Sequence, residues 1–268
     1  MSKITVIGGG NLGTAIAEGL INSKYCKAGE ITITRRNISL LDGLKKKGVK
    51  TESNNAVAVK NADIILLCVK PFQTKDVLKE IAPAINSKHI LISVVTGVSI
   101  EEISEIIQKK NQQNAALPVF RAMPNTAISI GESMTCISFS NANQKQVQTV
   151  CNLFEQLGKA VVIEEKLMEA ATIIGACGTA FAMRYIRANI QGGIEIGFDA
   201  NTARTIVAQT VKGAADLLIK NGTHPEQEID KVTTPKGCTI AGLNEMEHNG
   251  LSSSLIKGIT ESYKKIAK

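Results

Sequence analysis

A doubly wound α/β sheet followed by an all-helical C-terminal region is the fold class predicted by three observations. Short apolar runs alternate with helical periodicity up to about residue 163. A glycine-rich turn, Gly8-Gly9-Gly10-Asn11-Leu12-Gly13, joins the first strand pattern to the first helix. Beyond residue 164 strand signals disappear, and Ala, Gly, Ile and Thr recur at helical spacing. Two domains are expected, residues 1–163 and 164–268.

Ile4–Ile7 is a short β run, and the helix after the glycine turn continues to about Ser23. A second strand is expected over residues 30–34, then a Lys-rich helix to Lys47. Asn54-Asn55-Ala56-Val57 precedes the expected third strand, residues 64–69. That run is apolar throughout, as in a strand buried on both faces of a parallel sheet, and Pro71 stops it. A helix at 74–85, a strand at 90–94 and a helix at 99–109 follow. Strands at 117–123, 134–139 and 160–163, with a helix at 144–157, complete the α/β part. Right-handed crossovers of this kind give a parallel sheet with helices on both faces.

In the second domain, Ala203, Ile206, Val207, Val211, Ala214, Leu217 and Leu218 fall on one helical face. Gly222, His224-Pro225 and Thr234-Pro235 mark loops. A last helix over residues 252–267 carries Leu255, Ile256, Ile259 and Ile266. The domain is too thin and Gly/Ala-rich to look self-sufficient, which favours a homo-oligomer. Glu165 and Glu169 fall near the domain junction, where basic groups would pair with them.

Composition narrows the function. Hydrophobic residues make up 44% and charged residues 21% of the 268, a globular balance. Aromatics are 3% and Trp is absent, which disfavours stacking platforms for nucleic acid and ring-lined sugar clefts. The net charge of +7 is mostly spread over surface lysines, and no run reads as a basic nucleic-acid arm. The six cysteines form no CxxC pair and no Cys/His cluster of ligand spacing, so no metal is expected. Lying mostly in apolar strings, they suit a reducing cytoplasm. The chain opens on a strand pattern rather than a signal peptide. No apolar run approaches the roughly 20 residues that span a bilayer, so no membrane partner is expected. The three histidines lack partner patterns and read as surface or capping residues.

Strand, G-x-G-x-x-G and helix in succession form a Rossmann-like dinucleotide site. Gly8 allows the tight turn, Gly10 lets the backbone approach a pyrophosphate, and Gly13 lets helix and strand pack closely. Phosphates favour the N–H groups and dipole of the helix start at Asn11 and Leu12. An NAD site usually places an acid after the second strand; here the sequence reads Thr34-Arg35-Arg36-Asn37. Guanidinium groups suit a 2′-phosphate, so NADPH is expected, with NADH a second possibility. The other reading is that one or both arginines are solvated. Val69-Lys70-Pro71 and Val95-Thr96-Gly97-Val98 end strands on the crevice side, where Lys70 touches phosphate or solvent.

Four motifs in order carry a family resemblance: Gly8-x-Gly10-Asn11-x-Gly13, Val69-Lys70-Pro71, Arg121-Ala122-Met123-Pro124-Asn125-Thr126 and Thr234-Pro235-Lys236-Gly237-Cys238-Thr239. Together they resemble pyrroline-5-carboxylate reductase, over nearly the whole chain. The resemblance implies NAD(P)H reduction of a cyclic imino acid to L-proline. It also implies a helical C-terminal dimerisation domain, often within rings of dimers. It assigns Arg36 and Asn55 to the adenosine phosphate and ribose, Val69, Lys70 and Pro71 to the cofactor-lining loop, and Met123, Pro124 and Asn125 to the nicotinamide side. Thr234, Gly237, Cys238 and Thr239 are assigned to the substrate. Two departures stand out. Thr172-Ile173-Ile174-Gly175-Ala176-Cys177-Gly178-Thr179 replaces a Ser- and Pro-bearing stretch, and Lys236 stands where Gly is usual.

An imine substrate accounts for the lack of an acid–base pair. Reducing a ketone requires an acid beside oxygen, whereas an iminium already carries its proton. Orientation and donors then suffice: backbone N–H groups near Gly237 for the carboxylate, and the Thr239 hydroxyl, the one catalytic candidate, for the ring nitrogen. A β-hydroxyacid dehydrogenase of the same plan would need a Lys after Gly175-x-x-Gly178, and none follows. A noncatalytic NADPH-binding protein is the reading from another class.

Overall fold

The computed structural model describes residues 2–110 and 117–266. It forms two compact units, Met1–Cys177 and Gly178–Lys268. The first is built on eight strands: β1 (Ile4–Ile7), β2 (Ile31–Thr34), β3 (Lys50–Glu52), β4 (Ile64–Leu67), β5 (Ile90–Ser93), β6 (Val119–Met123), β7 (Ser133–Ser140) and β8 (Gly158–Val162). They lie in the order β3-β2-β1-β4-β5-β6-β7-β8. Its helices are α1 (Asn11–Asn22), α2 (Asp42–Lys46), α3 (Asn55–Val59), α4 (Thr74–Ile81), α5 (Ile100–Lys110), α6 (Gln144–Glu155) and α7 (Met168–Ala171). A π-helical turn, Thr172–Cys177, ends the unit.

Strand alternation produces the doubly wound layers. Ile4 and Val6, Ile64 and Leu66, and Ile90 and Ile92 point to one face, where they pack with Ile16, Leu20 and Phe154. Ile7, Ile65, Leu67 and Leu91 point to the other, with Leu78, Ile81 and Ile103. Each such side chain taken from water contributes about 1.5–3 kcal/mol, which is why the central strands read as unbroken apolar runs.

Two expectations about the sheet are corrected. The third strand is Lys50–Glu52, an edge strand too short and too exposed to show an apolar pattern. Residues 64–67 are therefore the fourth, and Asn55 follows the third strand rather than preceding it. Asn54 caps α3 by accepting the Val57 N–H. Strands β1 to β6 are parallel, but β7 runs antiparallel to β6, and β8 is parallel to β7. Residues 124–132 hold only a 3₁₀ turn, Thr126–Ile130. A parallel return needs about a dozen residues or more, so the chain reverses.

The sequence change near residue 164 marks the end of the sheet, while the compact unit continues to Cys177. The reason is ionic. Arg121 on β6 is 3% exposed and reaches Glu165 at 3.2 Å and Glu169 at 3.3 Å. The Glu165 carboxylate also accepts the Ile100 N–H at 2.7 Å. These contacts tie residues 165–169 to the sheet.

The second unit comprises α8 (Gly178–Glu195), α9 (Ala200–Asn221), α10 (Pro225–Val232), α11 (Cys238–His248) and α12 (Leu251–Ile266). The expected end of the last helix at residue 267 lies outside the described residues. Helix α10 begins at Pro225, in a dipeptide expected to mark a loop, and α11 follows the Thr234-Pro235 turn. Pro225 stands at the first position of α10 and His224 caps it, so the proline signals a helix start. Gly193 on α8 lets Ala203 of α9 approach closely. Ala203 is the one buried residue among the described residues of this unit. Ile206, Leu217, Leu255 and Ile256, on the apolar helix faces, are exposed among the described residues. Among the described residues no helix is long and apolar enough to cross a membrane.

Candidate cofactor and substrate sites

The glycine spacing is required by close approaches. Gly8 has φ +105°, and a Cβ there would lie 2.6 Å from the Cys68 carbonyl oxygen at the end of β4. A Cβ on Gly13 would overlap the Gly8 carbonyl oxygen. Gly10 faces open space instead. It caps α1 without a side chain, and no acidic residue stands in the first turn. The orphan N–H groups of that turn are thus left for an anion.

Around this turn is a pocket of about 1090 Å³. Among the sequence candidates it is lined by Gly8, Gly10, Asn11, Leu12, Arg35, Arg36, Asn55, Val69, Lys70 and Pro71. Gly13 lies behind the turn, and Met123, Pro124 and Asn125 are not among the lining residues. Met123 is buried at the end of β6, where its sulfur accepts the hydroxyl of the lining residue Thr96 at 3.7 Å. Asn125 is engaged locally. Its Oδ1 accepts the Ala127 N–H at 3.0 Å, and its Nδ2 donates to the Gly175 carbonyl at 3.1 Å. The π-turn, where the sequence departs from the family pattern, is thereby fastened to the end of β6.

The two arginines differ. Arg35 donates from its guanidinium to the Gly9 carbonyl at 2.7 Å, and its N–H goes to the Glu52 carbonyl at 3.1 Å. It braces the glycine turn. Arg36 is exposed and, among the described residues, makes no hydrogen bond or ion pair, so it is the guanidinium available to a phosphate. Thr34, buried at the end of β2, accepts the Gly8 N–H at 3.3 Å and donates to Asn55 Oδ1 at 2.6 Å. Sequence reasoning passed over Thr34, Phe72, Asp76 and Glu80, which also border the pocket. Phe72, 82% exposed directly after Val69-Lys70-Pro71, was signalled only by that neighbourhood. Burial pushes the Cys68 thiol up to about 12, which keeps it protonated and unreactive. Among the described residues no three His, Cys, Asp or Glu side chains gather to hold a metal.

In the helical unit, Thr234-Pro235-Lys236-Gly237 is a tight turn closed by the Gly237 N–H on the Thr234 carbonyl at 3.0 Å. Pro at the second position and a positive φ of +61° at Lys236 are marks of a type II turn. That third position ordinarily takes Gly, which explains the family's preference there. Lys236→Gly should stabilise the protein by up to about 1 kcal/mol, the left-handed strain relieved less the entropy of a free glycine. An unfolding midpoint that falls instead would contradict this. A Cβ on Gly237 would lie 2.6 Å from the Thr234 hydroxyl. Gly237 caps α11 with no side-chain bond, so the first N–H groups of α11 are open to an anion. Thr239 sits in that first turn, and among the described residues its hydroxyl makes no bond.

Comparison with known proteins bears on both units. Residues 165–268 match a family model described as pyrroline-5-carboxylate reductase dimerisation, and residues 3–97 match one described as NADP oxidoreductase coenzyme F420-dependent. Pyrroline-5-carboxylate reductase 2 of Dictyostelium discoideum is 42% identical, with 99% of this chain and 92% of that protein covered. The chain belongs to the pyrroline-5-carboxylate reductase family. Pyrroline-5-carboxylate reductase 1 of the same organism is 46% identical over 98% of this chain, and the chain spans 49% of that longer protein. The family fold is also met in the Coxiella burnetii pyrroline-5-carboxylate reductase (TM-score 0.90, 28% identity, 99% and 97% of the two chains). Plasmodium falciparum pyrroline carboxylate reductase, solved with NADP bound, is similar at a TM-score of 0.85 and 26% identity over 98% and 96% of the chains. The residues matched by the dimerisation model include the exposed apolar helix faces of the helical unit.

Proposed function

We propose that the protein is an NADPH-dependent reductase of 1-pyrroline-5-carboxylate, forming L-proline as the final step of proline biosynthesis. The observation that carries this is similarity along the full length to proteins named for that reaction. The open cradle at Gly10 supports the fit of a dinucleotide. When bound, the nicotinamide supplies the hydride. Gly8, Gly10 and the α1 start at Asn11 and Leu12 hold the pyrophosphate, with Gly13 setting the packing behind it. Arg36 takes the adenosine phosphate, Arg35 steadies the turn, and Asn55 faces the ribose. Val69, Lys70 and Pro71 line the cleft; Met123, Pro124 and Asn125 form the nicotinamide side.

In the helical unit, the uncapped N–H groups after Gly237 hold the substrate carboxylate, favoured by the helix dipole. Thr234 and Cys238 flank it, and the Thr239 hydroxyl bonds the ring nitrogen. The working form is a homodimer or a ring of dimers, supported by the exposed apolar helix faces. The protein acts in the cytoplasm, a reading supported by six unpaired cysteines.

The test follows NADPH oxidation by the purified protein with 1-pyrroline-5-carboxylate and with its six-membered analogue, each repeated with NADH. Imine-dependent turnover is expected. NADPH binding without turnover on either imine would replace this reading with a noncatalytic one. Arg36→Ala should raise the KM for NADPH roughly tenfold, by loss of a charged hydrogen bond, and that for NADH far less. Equal effects would remove Arg36 from the phosphate site. Thr239→Val should lower kcat roughly tenfold to a hundredfold, and unaltered kinetics would exclude the hydroxyl.

A further inference from the structure

Glu80 on α4 is a carboxylate that the proposed chemistry does not use, yet it is held in one place at the pocket edge. It accepts two hydrogen bonds from Asn55, the backbone N–H at 3.2 Å and the side-chain Nδ2 at 2.9 Å. Asn55 Oδ1 in turn accepts the Thr34 hydroxyl at 2.6 Å, and Thr34 accepts the Gly8 N–H at 3.3 Å. A continuous relay therefore runs from the glycine cradle, through the last residue of β2, to the Glu80 carboxylate. Asp76, one helical turn earlier, also borders the pocket but, among the described residues, no hydrogen bond fixes it.

In doubly wound sheets the adenosine ribose is recognised just beyond the second strand. Here that strand ends at Thr34 and is followed by Arg35-Arg36, without an acid. Arg36 and Glu80 both line this pocket, and no ion pair neutralises either among the described residues. The same end thus presents one free cation from the second-strand loop and one anchored anion from α4.

We propose that Glu80 sets how strongly the protein discriminates NADPH from NADH. Its carboxylate opposes the 2′-phosphate, offsetting part of the attraction of Arg36, and offers the 2′-hydroxyl of NADH an acceptor that the second strand lacks. The inference rests on the cofactor reading of this pocket.

The experiment measures dissociation constants of NADPH and NADH by calorimetry on the full-length protein, without imine. Glu80→Gln removes the charge and keeps an acceptor for Asn55. It should raise the preference for NADPH over NADH about fivefold, the effect of one charge near the phosphate in a wet site. Glu80→Asp keeps the charge and should move the preference by less than about twofold. Equal changes for both cofactors, or an Asp variant that behaves like the Gln variant, would show a bracing role only and overturn the proposal. Gly10→Ala separates the two levels: undiminished NADPH binding there would mean the pocket assignment has failed, whatever Glu80 does.

Discussion

Arg121→Ala should destabilise the protein by about 3–5 kcal/mol, the usual consequence of removing one partner from a buried ionic group. The guanidinium is almost wholly enclosed, while its partners Glu165 and Glu169 retain roughly a third of their side-chain exposure (35% and 28%). Its loss leaves two like charges facing each other and a cavity within the sheet. Residues 165–177 would lose their ionic tie to β6, keeping the Ile100–Glu165 and Asn125–Gly175 bonds. Arg121→Met combined with Glu165→Gln and Glu169→Gln should recover much of the loss, because no charge is then stranded. Denaturant unfolding at fixed protein concentration checks both, since any association between copies would make the midpoint concentration-dependent. A loss below about 1 kcal/mol in the single variant would mean the carboxylates are as well hydrated without their partner.

Gly13→Ala is expected to cost about 3 kcal/mol through overpacking and to weaken NADPH binding. The added methyl meets the Gly8 carbonyl oxygen; a Cβ is fixed by its own backbone and the oxygen is backbone, so neither yields by a side-chain rotation. The glycine turn must move, and the phosphate cradle moves with it. Gly10→Ala makes the informative contrast. Its methyl meets nothing within 4 Å, so stability should change by about 1 kcal/mol at most, while NADPH affinity should fall because the methyl occupies the approach to the cradle. Thermal unfolding with and without NADPH distinguishes the two. If both variants lost stability and affinity together, the division of roles between these glycines would be wrong.

Much of the candidate site follows from local rules. Gly13 is glycine because of a contact within the β1–α1 turn, Gly8 needs a positive φ there besides its approach to Cys68 beyond β4, and Arg36 stands out because it replaces an acid at a fixed offset. The turn at Thr234 to Gly237 is similarly local, including the strained Lys236. Other parts have no local signature. By residue type Arg35 and Arg36 are alike; the Gly9 carbonyl, which accepts the Arg35 guanidinium, sets them apart. Thr34 reads as an ordinary strand residue, and Glu80 as one more solvated charge on an amphipathic helix. Their relay joins residues far apart in the chain, and no spacing encodes it.

Periodicity and glycine placement alone specified the apolar strands of the central sheet, the longer helices around them, the dinucleotide turn and the change to an all-helical region, but not the short helix α3. These depend on which side chains seek water and which backbone angles a residue tolerates, and both are properties of short segments. The three-residue strand β3, the reversal at β7, the attachment of residues 165–177 and the burial of Arg121 emerged only from packing. Each is decided by what lies across a strand or an ion pair many residues away, where one segment's own preference is too weak to choose.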